Sequence, residues 1–395
     1  MRSYRWVVLF AFILVAGVNQ MLWLNFAPLI SFIQEKYLVS ELVASSLILV
    51  FPLFYVFLSI PAGSLTDSKG YKWAIGFGSI LMAIFSLLRI FDSSFTVLLI
   101  GQIGISIGQP FIMNGISKLV SDWFTKEHAA IATGLGTVGM FIGMALGMAL
   151  TPYLVESIGF KSTMMVFALI TVIATIFFLV FAKERTKSSH KSDLSISEMK
   201  KMKELFLNKD LSIIFLMSFL GLGFFNGLTT WLEAILKPNG INAIDAGIIG
   251  GVLIVGGIFG AIIIPALSDH FKRRRPFLLF CIITAIVMTY PFCTSSNFNF
   301  LLILGFIFGF FFLPSYALLL EMAAELAGPE RTGLATGILM LTGNAGGVIV
   351  ILAMDLVKIG PSNYLPSIIL MIVILIVALF FGTRVSETYT LPAKI

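Results

Sequence analysis

Cysteine is almost missing from this chain of 395 residues. Cys281 and Cys293 are the only two, both in or near one apolar run, which leaves no disulfide framework and no thiolate metal site. Histidine is nearly as scarce, and His128, His190 and His270 lack metal-ligand spacing. No Gly-x-x-x-x-Gly-Lys-Ser/Thr segment occurs, so ATP does not drive this chain through a phosphate loop of its own. Charged residues make up only 12% of the sequence, and a net charge of +6 spread over its length offers nucleic acid no basic surface. No catalytic constellation remains, so neither an enzyme nor a bound cofactor or metal is expected.

What is present is apolar. Hydrophobic residues are 58% of the chain and the mean hydropathy is +1.01, above the ~45–50% of soluble globules. Runs near the ~20 residues needed to cross a bilayer as a helix recur twelve times between residues 6 and 382. The first, 6–32, is too long for a cleaved signal core and reads as a retained helix. Most of the 26 Lys and Arg fall in alternate loops and at both termini, which predicts cytoplasmic ends and contact with anionic lipid. An integral, multi-pass protein of the plasma (inner) membrane is expected.

The chain is written twice. Ala132-Thr133-Gly134 returns as Ala335-Thr336-Gly337, Glu127-His128 as Glu330-Arg331, Pro110 as Pro314 and Asp67 as Asp269, all at nearly one offset. Residues 1–182 and 211–395 then form two six-helix bundles. A linker, 183–210, carries an amphipathic helix in which Ile196, Met199, Met202 and Phe206 recur at helical spacing. The turn Gly63-x-x-x-Asp67-x-x-Gly70-x-Lys72 and its weaker echo at Asp269 to Arg273 join the second and third runs of each half. The first turn resembles the loop between helices two and three of major facilitator transporters. That resemblance implies an all-α fold of twelve transmembrane helices in two pseudo-symmetric bundles, with substrate held near the midplane between them. Asp67 and Asp269 are expected to latch one conformation, and Glu321 and Glu325 to pair with Arg or Lys, Arg273 and Arg331 among them, as part of a gate.

Polar groups inside such runs are costly, so each one is a candidate. Asn19, Trp23 and Phe26 share a face of the first run, and Asn226, Thr230 and Glu233 share one in the seventh, beside Trp231. Gln109, Tyr316 and Asn344 add polar groups from the fourth, tenth and eleventh. Each amide could meet substrate or a neighbouring helix. Glu233 could be an interfacial carboxylate paired with Lys237, a partner for a cationic substrate or a proton site, and Asp355 is read as solvated. Aromatic rings around one carboxylate would suit an organic cation.

Asn19 to Ile30, Gly108 to Phe124, Leu313 to Pro329 and Gly337 to Gly347 resemble the transporters related to the feline leukaemia virus subgroup C receptor. That likeness implies choline, ethanolamine or heme as substrates. By position it sets Trp23 at the family's choline-stacking tryptophan and Asn344 at a family glutamine. Thr230 replaces a family tyrosine and Phe141 a family glutamine, so two of four positions lose the expected chemistry. The reading is a monomeric secondary or facilitative transporter of a small organic solute, with a proton or another cation as a possible coupling ion. Its rivals are a proton-coupled carrier of an organic anion or nutrient, and a non-transporting receptor.

Overall fold

The computed structural model describes residues 4–184, 196–328, 331–360 and 363–389. It divides into two compact units, residues 1–194 and 195–395. Twelve helices among the described residues are long and apolar enough to cross a membrane, six in each unit. The first unit holds α1 (Tyr4–Leu24), α2 (Ile30–Tyr37), α3 (Glu41–Lys69), α4 (Tyr71–Leu88), α5 (Phe95–Trp123), α6 (Lys126–Ile158) and α7 (Phe160–Phe181). The second holds α8 (Ile196–Leu207), α9 (Lys209–Leu236), α10 (Ala243–His270), α11 (Arg275–Thr294), α12 (Phe298–Ala327), α13 (Thr332–Val357) and α14 (Leu365–Gly382).

The first span is not one unbroken helix. A 3₁₀ turn, Ala27–Leu29, separates α1 from α2. Pro28 lies within it and has no N–H to continue the α-helical ladder.

Helix starts repeat between units. The Ser40 hydroxyl accepts from the Val43 N–H and caps α3, and Asn242 caps α10 by accepting from Asp245. Ser94 caps α5 and Asn297 caps α12 in the same way. Each such cap satisfies one of the orphan N–H groups of a helix end and contributes about 1 kcal/mol.

Packing repeats as well. In the first unit α1 packs on α6, α3 and α4 on α5, and α4 on α7; in the second α9 packs on α13, α10 and α11 on α12, and α11 on α14. Backbones in the first pair of each unit approach so closely that a Cβ on Gly143 would run into the Gly17 carbonyl, and one on Gly346 into the Phe219 carbonyl. Small residues that admit a neighbouring backbone take the place of the hydrophobic drive that lipid does not supply.

The linker helix α8 packs on α9 and lies in the second unit. Leu205 is its buried anchor and Met202 packs beside it, whereas Phe206 is largely exposed and meets Phe215 ring to ring at 5.2 Å. The side chains of Ile196 and Met199 lie outside the described residues.

Candidate functional site

In the first unit the polar residues in the second half of α1, and Asn25 just past its end, are buried and incompletely bonded. The Asn19 amide donates to Met82 Sδ at 3.7 Å, and Gln20 donates to Met113 Sδ at 3.6 Å. Both carbonyl oxygens find no partner, nor does the Trp23 indole N–H or either amide atom of Asn25. Gln102 on α5 donates to the Leu22 carbonyl at 2.9 Å yet leaves its own oxygen unpaired. Gln109 is buried two turns along the same face of that helix. A buried polar atom without a partner costs about 1–3 kcal/mol, and several of them belong to the end of α1, Asn25 and the neighbouring α5.

Aromatic faces around them are unequal. Trp23 stacks on Phe51 at 6.2 Å. The Phe26 ring already faces a cation, because the Arg89 guanidinium lies 4.6 Å from its centroid. Arg89 is 1% exposed, touches Met164 Sδ at 3.1 Å through Nη2, and leaves Nε and Nη1 unpaired.

The α9 set in the second unit is more completely spent on its neighbours. Asn226 donates to the Leu222 carbonyl at 2.7 Å and keeps an unpaired oxygen, and the Thr230 hydroxyl is unpaired. Trp231 is fully buried and donates to the Ile351 carbonyl of α13 at 3.2 Å. Lys358 lies 5.0 Å over its ring and holds Asp355 at 2.5 Å. Asp355 is therefore ion-paired rather than solvated. Glu233 is 3% exposed, Tyr316 is partly buried on α12, and Asn344 donates back to the Met340 carbonyl of its own helix at 2.8 Å.

At one end of each unit lies a charged turn. After α3, Gly70 takes φ +90°, and a Cβ there would collide with the Glu184 carboxylate. Glu184, just past α7, accepts from the Lys72 backbone N–H. Partial burial and then Asp122 hold its carboxyl above the usual range, against the pull of Lys72 and Lys118. Lys118 pairs with Asp122 at 3.5 Å, and Gly63 packs beside the Asn114 amide.

After α10 the turn runs through Lys272, at φ +53°. Arg274, not Arg273, reaches the acids: Asp269 and Glu321 at 2.7 Å and Glu325 at 3.1 Å. Burial alone would lower its basicity, but the three carboxylates together raise it above that of an ordinary guanidinium. The Glu387 carboxylate, past α14, accepts from the Arg274 and Arg275 backbone N–H groups at 2.8 and 3.1 Å. Arg331 is turned elsewhere, to Glu204 of the linker helix at 3.0 Å.

Sequence reasoning left Gln20, Asn25 and Arg89 out of the candidate set. A polar residue within an apolar run was the available signal for the first two. Arg89 follows the last turn of α4, so it reads as a boundary residue until the fold covers it.

A sequence profile described as the Major Facilitator Superfamily matches residues 9–351, and again 236–394. Solute carrier family 49 member A3 of Xenopus tropicalis is 28% identical over 88% of this chain and 77% of its own length. The choline/ethanolamine transporter FLVCR2 of Rattus norvegicus is 26% identical over 87% of this chain and 68% of its own. Among solved structures, the inward-facing, occupied form of a bacterial homologue of the human lysosomal transporter Spinster superposes with a TM-score of 0.76 at 15% identity, covering 97% of both chains. The nucleoside transporter NupG gives 0.74 at 14% identity over 96% of this chain and 99% of its own.

Proposed function

Starting from a chain that belongs to the Major Facilitator Superfamily, we propose that this membrane transporter carries a small organic cation, of the size and charge of choline or ethanolamine, by alternating access. The observation that supports this reading is the set of buried, under-bonded groups at the end of α1 and just past it: Asn19, Gln20, Trp23 and Asn25. A solute passing that set would supply the missing hydrogen bonds and be recognised by them. Trp23 is the ring best suited to stack on a cation, since Phe26 faces Arg89 and Trp231 faces Lys358. Desolvated cation–ring contacts contribute about 2 kcal/mol. The naming of FLVCR2 as a choline/ethanolamine transporter favours the same class.

Gln109 joins this set in the first unit, and Asn226, Thr230, Glu233, Tyr316 and Asn344 are the second unit's proposed solute contacts. Asp67 and Asp269, with the charged turns around them, act as conformational latches. Both termini are cytoplasmic in this reading, the membrane is the plasma (inner) membrane, and the protein works as a monomer.

One observation favours a second reading, the organic anion. Arg89 is buried with two guanidinium nitrogens unpaired, and a carboxylate or phosphate would satisfy both. Thermal-shift binding of the purified protein to choline, ethanolamine and a panel of organic acids separates the two. The cation reading expects stabilisation by choline or ethanolamine, weakened roughly thirtyfold by Trp23→Ala. Stabilisation by an acid that Arg89→Gln abolishes, with no response to either amine, replaces it with the anion reading.

A further inference from the structure

The end of the second unit that carries the α10–α11 turn holds a cavity of about 440 Å³, lined by Lys272, Arg273, Arg275, Pro276, Leu279 and Glu387. Three of its six lining residues are cations. The single acid is already occupied: Glu387 accepts from the backbone N–H groups of Arg274, Arg275, Thr388 and Tyr389. Arg275 donates through Nη2 to the Thr383 carbonyl and leaves its buried Nε unpaired. Lys272 and Arg273 are exposed and make no ion pair among the described residues. The excess positive charge therefore belongs to the cavity and is not used by the Arg274 cluster beside it.

The backbone presents these cations in a fixed arrangement. The Ser268 hydroxyl donates to the Arg273 carbonyl at 2.7 Å, and the Arg273 N–H returns to the Ser268 carbonyl at 3.0 Å. Lys272 keeps its left-handed conformation inside this closed turn. Such a loop holds its charges in place, which lowers the ordering cost of binding an anion.

Two of the lining residues, Pro276 and Leu279, are apolar, and exposed apolar side chains follow on the helices beside them. Phe280, Ile283 and Val287 make an exposed stripe along α11, and Ile376 and Phe380 one along α14, the helix packed against it. A charged head held at a helix end beside two apolar stripes matches a molecule with an anionic head and acyl chains.

We propose that this cavity binds the head group of an anionic glycerophospholipid, with its phosphodiester among Lys272, Arg273 and Arg275 and its chains along α11 and α14. The site is separate from the solute path and does not depend on which solute is carried. On the proposed topology it faces the leaflet in which anionic lipids attract basic residues.

The test uses the full chain purified in neutral detergent, with dioctanoyl phosphatidylglycerol, dioctanoyl phosphatidylcholine and sn-glycerol 3-phosphate as probes. Phosphatidylglycerol is expected to raise the melting temperature and to remain bound in native mass spectrometry, whereas phosphatidylcholine does neither. Lys272→Gln with Arg273→Gln should weaken phosphatidylglycerol about fivefold per cation removed. Arg273→Lys should retain it, and serves if the double variant does not fold. Equal stabilisation by phosphatidylcholine, an unchanged response in the double variant, or an equal shift from sn-glycerol 3-phosphate would each overturn the proposal, the last by showing a site for free anions.

Discussion

Asp67 to Lys72 in the first unit and Asp269 to Arg274 in the second make one turn with two electrostatic solutions. In both, the residue three past the aspartate has a positive φ, Gly70 at +90° and Lys272 at +53°. In both, a carboxylate from just beyond the sixth span, Glu184 or Glu387, accepts backbone N–H groups at the start of the third. That carboxylate neutralises orphan donors and the positive end of the helix together. The charges around this shared frame differ. The first unit offers Lys118 and Asp122 on α5, which pair with each other, whereas the second offers Glu321 and Glu325 on α12, which cannot. The first turn spreads its compensation over several groups, and the second concentrates it on Arg274. Backbone roles survive in both copies while the charge ledger has been rewritten.

The asymmetry makes Arg274 the position where the two turns should part most widely. Arg274→Ala leaves Asp269, Glu321 and Glu325 facing one another with no cation between them. A loss of about 3 kcal/mol is expected, at the lower end for breaking a buried pair because the acids keep some solvent. Lys72→Ala, its counterpart, should cost under about 1 kcal/mol, as surface pairs do. Melting temperatures of the two purified variants decide it, and equal losses would remove the distinction between a concentrated and a distributed charge network.

Backbone repeats are easier to read from residues than side-chain destinations. The twelve spans, the doubled plan and the pairing of Asp67 with Asp269 follow from hydropathy and spacing, because lipid imposes a span length and a turn imposes its small residues. Arg273 is among the cations expected to pair with Glu321 and Glu325, yet Arg274 reaches them. Four consecutive cations, 272–275, carry no mark of which one the turn aims inward; the left-handed Lys272 determines that, and φ is not written in composition. Trp231 follows Thr230 in sequence, but its indole donates to the Ile351 carbonyl of α13, the helix whose Gly347 also lies against the Asn226 amide. The break at Ala27–Leu29 was written in Pro28, but a proline alone does not say whether a helix bends or stops. Arg89 illustrates the remaining gap: a cation at a predicted helix end is placed near water by default, and only tertiary packing buries it under Phe26.

The positive-φ residue provides a test in which sign matters more than size. Gly70 pays nothing for its φ, and a Cβ would both strain the backbone and strike Glu184. Gly70→Ala is expected to destabilise the first unit by about 1–2 kcal/mol. Lys272 already bears that backbone cost, so Lys272→Gly should stabilise the second by up to about 1 kcal/mol, the gain trimmed by glycine's freedom when unfolded. Two losses, or two gains, in the melting temperatures would show that the turns are not the same backbone device.

Proton binding gives the smallest expected effect and the finest comparison. Glu184 is held above the ordinary carboxylate pKa by partial burial and then by Asp122. For an acid raised on folding, the neutral form is the one the fold prefers. Its stabilisation is complete below the unfolded value of ~4.3 and is lost as pH climbs through the folded value. Acidification from neutral pH should therefore firm the α3–α4 turn, the more so as Glu184 gives up its repulsion from Asp122. Glu184→Gln fixes the neutral form, so it should raise the melting temperature at pH 7 slightly and flatten its rise toward about pH 5. Because the protonated acid and the amide can both still accept from the Lys72 N–H, capping of α4 persists in each. A variant that keeps the full pH slope of the parent would place the titrating group elsewhere and leave Glu184 with the capping role alone, as a closer match to Glu387.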